Sequence, residues 1–168
     1  MARQRPRLAT ERLIGIMFAW ISRLFSCNDN RAEVIETISQ EVLPFLGSAK
    51  SQVDQRDLMT PNKHILMYCF AYGGIDVASG QDSLLDETGR LTVLLHLIKA
   101  TAQNTDAQDI SAMHGRCQTL LVTEEGARAR ATGEHCFRRW QHGEHAASAV
   151  LASYLASLPE SPAIPDGL

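Results

Sequence analysis

The sequence lacks the motifs that mark common catalytic and nucleotide-binding sites. It contains no Walker loop, no G-x-G-x-x-G following a strand, no G-x-S-x-G and no C-x-x-C pair. Four cysteines are scattered, at positions 27, 69, 117 and 136. Their even number is compatible with disulfides, but a domain of this size does not need them, so we expect a reducing, cytoplasmic compartment. Without a recognisable catalytic set, a non-enzymatic function is favoured over an enzymatic one.

An excess of positive charge is also missing. The net charge of −3 and the isoelectric point near 6.0 argue against general nucleic-acid binding. The chain has 168 residues, of which 45% are hydrophobic and 21% charged, as in a soluble globular protein with one proper core. Its longest apolar stretch, within residues 8–25, is shorter than the roughly 20 residues that a membrane span requires.

Strand-like alternation is absent, and helical periodicity dominates. It predicts an all-α fold: a compact single-domain bundle of about five to six helices around a central apolar helix over residues 61–79. The domain is expected to cover residues 8–158, between a flexible basic arm (1–7) and a loosely ordered tail (159–168). In the central helix, Gly73 and Gly74 predict either the close approach of another helix or a kink.

Helix boundaries follow from local signals. Thr60 followed by Pro61 predicts the start of the central helix. The polar segment 27–31 predicts a break after the first helix, with Asn30 capping the next one. The last helix is predicted near residues 134–158, after a break at Gly126 or Gly133.

The first helix, residues 8–25, has three interpretations. Its apolar residues cover an arc of roughly 200°, and three arginines precede it. We favour a helix packed on the core. A peripheral membrane helix is the second hypothesis, and an export signal is the third.

Asp76 is an acid in the most hydrophobic part of the chain. It shares a helix face with Tyr72 and lies near the helix C-terminus, where the macrodipole disfavours an anion. The carboxylate therefore needs a cation, which Arg90, His64, His96 or Lys99 could supply. We take Tyr72, Asp76 and Arg90 as a candidate binding site, although a structural ion pair or a solvated last turn is the favoured interpretation.

A basic cluster lies further along the chain. Arg138 and Arg139, with Arg128 and Arg130, form a candidate site for phosphate or an acidic partner. Three nearby glutamates, at positions 124, 125 and 134, neutralise much of this charge, so a solvated surface is the favoured alternative.

The same region is rich in histidine. On one continuous helix, His135, His142 and His145 would fall within an arc of about 80°. This arrangement makes them a candidate site for zinc or nickel. A solvated polar face is the favoured alternative, and no other cofactor is expected.

These patterns support three functional hypotheses. The first is a noncatalytic protein–protein interaction protein, such as a small helical adaptor, inhibitor, immunity-type or assembly protein. The second is a metal-dependent enzyme that uses the histidine face. The third is a peripheral membrane protein attached through residues 8–25. The expected partner is another protein, with a second copy of the chain as an alternative.

Overall fold

A computed structural model describes the backbone of residues 8–80, 85–102 and 105–159, and the side chains of these ranges from residue 30 onward. The predicted arm (1–7), the side chains of residues 8–25 and the tail beyond Pro159 lie outside the described residues. The helices are α1 (Leu8–Ser51), α2 (Gln55–Met59), α3 (Pro61–Ser79), α4 (Glu87–Thr101), α5 (Ala107–Leu121), α6 (Glu124–Gln141), a 3-10 helix (His145–Ala149) and α7 (Val150–Ser157).

The described ranges form an all-α bundle without strands, and α3 lies at its centre, which confirms the predicted fold class. Helices α1, α4, α5, α6 and α7 all pack against α3. Among the described residues, no helix is both long and apolar enough to cross a membrane.

Several predicted boundaries were wrong. Helix α1 continues through segment 27–31, because polar residues without glycine or proline carry only small helix penalties. A short helix, α2, lies between α1 and α3, and the predicted last helix is interrupted near Gly143, which has a φ of +87°. Gly126 and Gly133 both lie inside α6. Within the described ranges the bundle has seven α-helices, where about five to six were predicted.

Helix α3 is buried along nearly its whole length. Pro61 occupies its first turn as predicted, while the Thr60 hydroxyl donates to the carbonyl of Arg56 and does not cap the helix. From Lys63 onward, every residue is buried except His64, Asp76 and Ala78, which are half-buried. After Lys63, the residues of α3 that reach solvent are therefore confined to His64 near its start and to Asp76 and Ala78 near its end.

Aromatic side chains connect α3 to α1 and α6. Phe45 of α1 stacks on Phe70 of α3 with ring centroids 5.3 Å apart, and it meets the edge of Phe137 of α6 at 5.2 Å. All three rings are fully buried, and each such burial contributes about 1.5–3 kcal/mol. This cluster anchors the centre of the core.

Helices α3 and α6 meet through glycines. A methyl group added at Gly73 would overlap the carbonyl oxygen of Arg130, and one added at Gly133 would overlap the carbonyl oxygen of Phe70. The two backbones are in direct contact here, since only a residue without Cβ fits at either position. Helix α3 continues through Gly73, so close approach, and not a kink, is the confirmed alternative.

Candidate functional site

The predicted site around Asp76 is an ion-pair cluster that joins three helices. Asp76 Oδ1 accepts a hydrogen bond of 3.0 Å from Arg90 of α4, and Oδ2 accepts one of 2.5 Å from Nε of Arg130 of α6. The Asp76 side chain is only 12% exposed. The structure thus brings Asp76 and Arg90 together as predicted, while Arg130 is a partner that the sequence did not reveal.

Tyr72 completes this cluster one turn earlier on α3. The Arg130 guanidinium lies 5.1 Å from the centre of the Tyr72 ring, within the range of a cation–π contact. Burial, helped by the negative charge of Asp76, raises the pKa of Tyr72. Tyr72 therefore stays protonated at neutral pH and is unsuited to act as a base.

The geometry of this cluster favours a structural role. Each carboxylate oxygen of Asp76 already accepts from a guanidinium group, and each arginine also has a partner in Asp76. A charge-assisted pair of this kind contributes roughly 1.5–3 kcal/mol per hydrogen bond. Among the described residues, Arg90 Nε is buried without a hydrogen-bond partner, so the cluster is not fully satisfied.

The predicted arginine site is neutralised by its own neighbours. Arg138 pairs with Glu134 one turn away at 2.8 Å, and Arg139 pairs with Glu144 at 2.6 Å. All four side chains are more than 40% exposed, so these pairs add little stability. Both predicted cations therefore have a carboxylate partner in the structure.

The histidines do not share a helix face. His135 lies on α6, His142 follows the end of α6, and His145 begins the 3-10 helix, where its ring meets Trp140 at 4.4 Å. The assumption of one continuous helix was wrong because Gly143 turns the chain between them. Within the described ranges, no three His, Cys, Asp or Glu side chains lie close enough to hold a metal ion.

Two buried thiols face each other between α3 and α5. Cys69 and Cys117 are free and fully buried. Hydrogen bonding between the Cys117 thiol and the neighbouring Cys69 sulfur, together with burial, raises the pKa of Cys117 far above its ordinary value. The raised pKa makes Cys117 a poor nucleophile, and full burial makes both thiols small apolar core groups.

A groove that sequence reasoning missed lies between the start of α3 and α5. It has a volume of about 410 Å³ and is lined by Asn62, Ile65, Ala112, Gly115, Arg116, Thr119 and Leu120. Buried Ile65 and half-buried Leu120 supply its apolar floor, and the α5 residues along its rim are exposed. A Cβ atom added at Gly115 would meet nothing within 4 Å, so there is free space above α5.

Two exposed apolar side chains lie close in sequence to residues that line this groove. Met59 is 77% exposed and lies three residues before Asn62, while Val122 is 86% exposed and lies two residues after Leu120. Among the described side chains, these are the two large hydrophobic residues most open to solvent. We refer to the groove together with Met59 and Val122 as the α3–α5 surface.

The electrostatic environment of the α3–α5 surface is positive. Exposed Arg116 lies on the rim, where its guanidinium donates to Asn62 Oδ1 at 3.3 Å. Burial and the positive charges of Lys50 and Arg116 lower the pKa of the adjacent His64. A ligand here would gain from carrying negative charge.

A sequence signal for the groove did exist. Ala112, Gly115 and Thr119 are small residues that recur on the outer face of α5. They leave space beside α3, but only the placement of α5 against Ile65 turns this small-residue face into a groove.

Comparison of the chain with protein-family models, with curated proteins and with solved structures finds no match.

Proposed function

We propose that this chain is a noncatalytic protein-interaction protein that binds a segment of another protein on the α3–α5 surface. The observation that carries the proposal is the apolar groove itself, with exposed Met59 and Val122 close in sequence to the residues that line it. Contiguous exposed apolar surface rimmed by polar residues is typical of protein-binding sites. The ion-pair cluster at Asp76, in contrast, is occupied by its own partners.

The surface favours one kind of occupant: a short protein segment that carries apolar side chains next to carboxylates. Apolar groups would contact Ile65 and Leu120, and a carboxylate would pair with exposed Arg116. A groove of this size buries less area than a standard interface, so we expect a transient complex with a dissociation constant of about 1–100 µM.

A peptide-library selection tests this proposal. Random peptides are selected on the full chain, and the enriched peptides are measured against the variants Gly115→Leu and Gly47→Leu. Both glycines lie inside helices with nothing within 4 Å of an added Cβ, so both variants should fold, and leucine also favours the helix. Only the first variant fills the groove.

We expect enriched peptides to combine apolar and acidic residues. Gly115→Leu should weaken their binding at least tenfold, while Gly47→Leu should change it less than twofold. Arg116→Glu should weaken binding of acidic peptides about fivefold, as for an exposed ion pair. If no peptides are enriched, or if Gly115→Leu binds them as tightly as the wild type, the α3–α5 surface is not a protein-binding site.

A further inference from the structure

Two cations beside the α3–α5 surface lack a carboxylate partner. Most arginine and lysine side chains in the described ranges form an ion pair with an acid. Within those same ranges, Lys50 and Arg116 form none. The Lys50 ammonium donates to the carbonyl of Thr101 at 3.1 Å, and the Arg116 guanidinium donates to Asn62 Oδ1 at 3.3 Å. Both acceptors are neutral, so both positive charges remain uncompensated.

The two cations act on the half-buried imidazole of His64. A chain of contacts leads from Lys50 to this ring. Lys50 bonds to the Thr101 carbonyl, and the Thr101 hydroxyl lies 3.0 Å from the Tyr68 hydroxyl. The ring centres of Tyr68 and His64 are 5.4 Å apart. Arg116 belongs to α5, and after burial its charge and that of Lys50 lower the pKa of His64.

We infer that Lys50, His64 and Arg116 form a binding site for a phosphate monoester, which the partner segment carries as a phosphorylated serine or threonine. A carboxylate has one negative charge and two oxygens. A phosphate monoester has a charge of about −1.5 to −2 at pH 7 and three strong acceptor oxygens. Three nitrogen-bearing side chains from α1, α3 and α5 match the larger charge and the third oxygen. The inference rests on the proposed function for the nature of the ligand.

The place of the cluster beside the groove favours a protein ligand. Arg116 lines the groove together with buried Ile65, so an anionic group at Arg116 has an apolar recess next to it. Nucleic acids and anionic membranes are usually bound by wider basic surfaces, with about four to eight cations for a membrane. The net charge of −3 opposes such polyanions, whereas two uncompensated cations suit a single phosphate group.

A phosphate group at this cluster should also change the charge of His64. Its negative charge would offset Lys50 and Arg116, and it would therefore raise the pKa of His64. The nearest acid in sequence, Asp57, does not supply this charge, because it pairs with buried Lys63 at 2.8 Å. Binding of phosphate should consequently be accompanied by proton uptake at His64, which adds a charged donor to the site.

Two random peptide libraries test the choice of ligand on the full chain. One library has a central phosphoserine and the other a central serine. The enriched phosphopeptides are then made again with serine or glutamate at the central position. We expect the phosphoserine form to bind at least about tenfold more tightly than the serine form. It should bind about fivefold more tightly than the glutamate form, because glutamate has less charge and fewer oxygens.

Substitutions of the cations test the site itself. Arg116→Gln and Lys50→Gln should each weaken the phosphoserine peptides about tenfold, while the serine forms should change less than about twofold. Lys99→Gln is the matched control, because it removes one exposed cation of α4 outside the α3–α5 surface and should change neither form. Arg116 is exposed, so Arg116→Gln keeps the test valid even if half-buried Lys50 is needed for folding.

Nuclear magnetic resonance tests the phosphate site without any peptide. Titration of the wild type with inorganic phosphate at constant ionic strength should shift the ring resonances of His64 and the amide of Arg116 saturably, and should raise the pKa of His64. Arg116→Gln should weaken this response, and Lys99→Gln should leave it unchanged. A response to millimolar phosphate that does not saturate, or that is the same in Arg116→Gln, would overturn the inference.

The outcomes separate this inference from the proposed function. If serine and phosphoserine forms bind the groove equally well, the inference is wrong and the function stands. If phosphate saturates the cluster but neither library yields a peptide, the anion site is supported and the protein-binding function is contradicted. Tighter binding to vesicles that contain a phosphoinositide than to any phosphopeptide would overturn the assignment of a protein ligand.

Discussion

The contact between α3 and α6 can be tested by adding one methyl group. In Gly133→Ala, the new Cβ would overlap the carbonyl oxygen of Phe70 and lie 3.1 Å from the Phe70 Cα. Both are backbone atoms at the middle of α3, so the overlap is relieved only if the two helices move apart. Such overpacking costs about 3 kcal/mol, the upper end of the usual range, because no flexible side chain can yield.

Alanine also stabilises a helix relative to glycine by about 1 kcal/mol, which partly offsets this cost. We therefore expect a net loss of about 2 kcal/mol in the free energy of unfolding. For a chain of this length, that loss lowers the melting temperature by about 4–8 °C. The nearby stack of Phe45, Phe70 and Phe137 should loosen in the same variant.

Urea unfolding, followed by circular dichroism and tryptophan fluorescence, measures the effect. Gly115→Ala and Gly47→Ala serve as controls, because both lie inside helices with open space around the new methyl. The free energy of unfolding of these controls should rise by up to about 1 kcal/mol. The difference between the controls and Gly133→Ala therefore measures the cost of the overlap with α3. If Gly133→Ala is as stable as the controls, α3 and α6 are not in backbone contact.

The double variant Gly73→Ala/Gly133→Ala sharpens the test. Each methyl alone would overlap backbone of the opposite helix. Once the first methyl has separated the helices, the second should cost much less. We therefore expect the double variant to lose clearly less stability than the sum of the single losses, as for contacting residues.

Three other predictions concern polar and titratable groups. Asp76→Asn should lower the free energy of unfolding by about 2 kcal/mol, because two guanidinium groups lose a charged acceptor. Glu134→Gln, which removes the charge of an exposed pair, should lower it by less than about 0.5 kcal/mol. Chemical denaturation of both variants measures the difference. Cys69 and Cys117 should remain unlabelled by iodoacetamide in the folded protein and react on unfolding, as measured by peptide mass spectrometry. Burial lowers the pKa of His64, so His64 takes up a proton in the unfolded chain before it does in the folded protein as the pH falls below about 6.5. The folded wild type therefore loses stability as the pH falls, and His64→Gln should lose less stability than the wild type between about pH 7.5 and pH 5.

The sequence predicted the centre of the fold because the relevant signals are local. Thr60 and Pro61 mark the start of α3, and its all-round hydrophobicity indicates burial on most sides. Asp76 was identified from the same helix, since an acid among buried apolar residues requires a cation. Arg90 was among its expected partners because it follows α3 after a short connection.

The errors arise where tertiary contact reverses a local preference. Gly126 and Gly133 predict helix breaks by propensity alone, yet both lie inside α6. Gly133 is retained there because α3 leaves no room for a side chain. Arg130 belongs to the same long-range contact, since its distance from Asp76 depends on how α6 crosses α3.

The two helices that form the α3–α5 surface differ in how many of their residues are buried. Nearly all of α3 is buried, whereas Cys117 is the one fully buried residue of α5. Helices with few buried contacts open locally at low free-energy cost. A ligand that touches both Ile65 and Leu120 must hold α5 in place, so part of its interaction energy orders that helix. Under the proposed function, the affinity of the groove for its ligand is therefore coupled to the stability of α5, and a helix-stabilising change on α5 outside the groove should strengthen binding without touching the ligand.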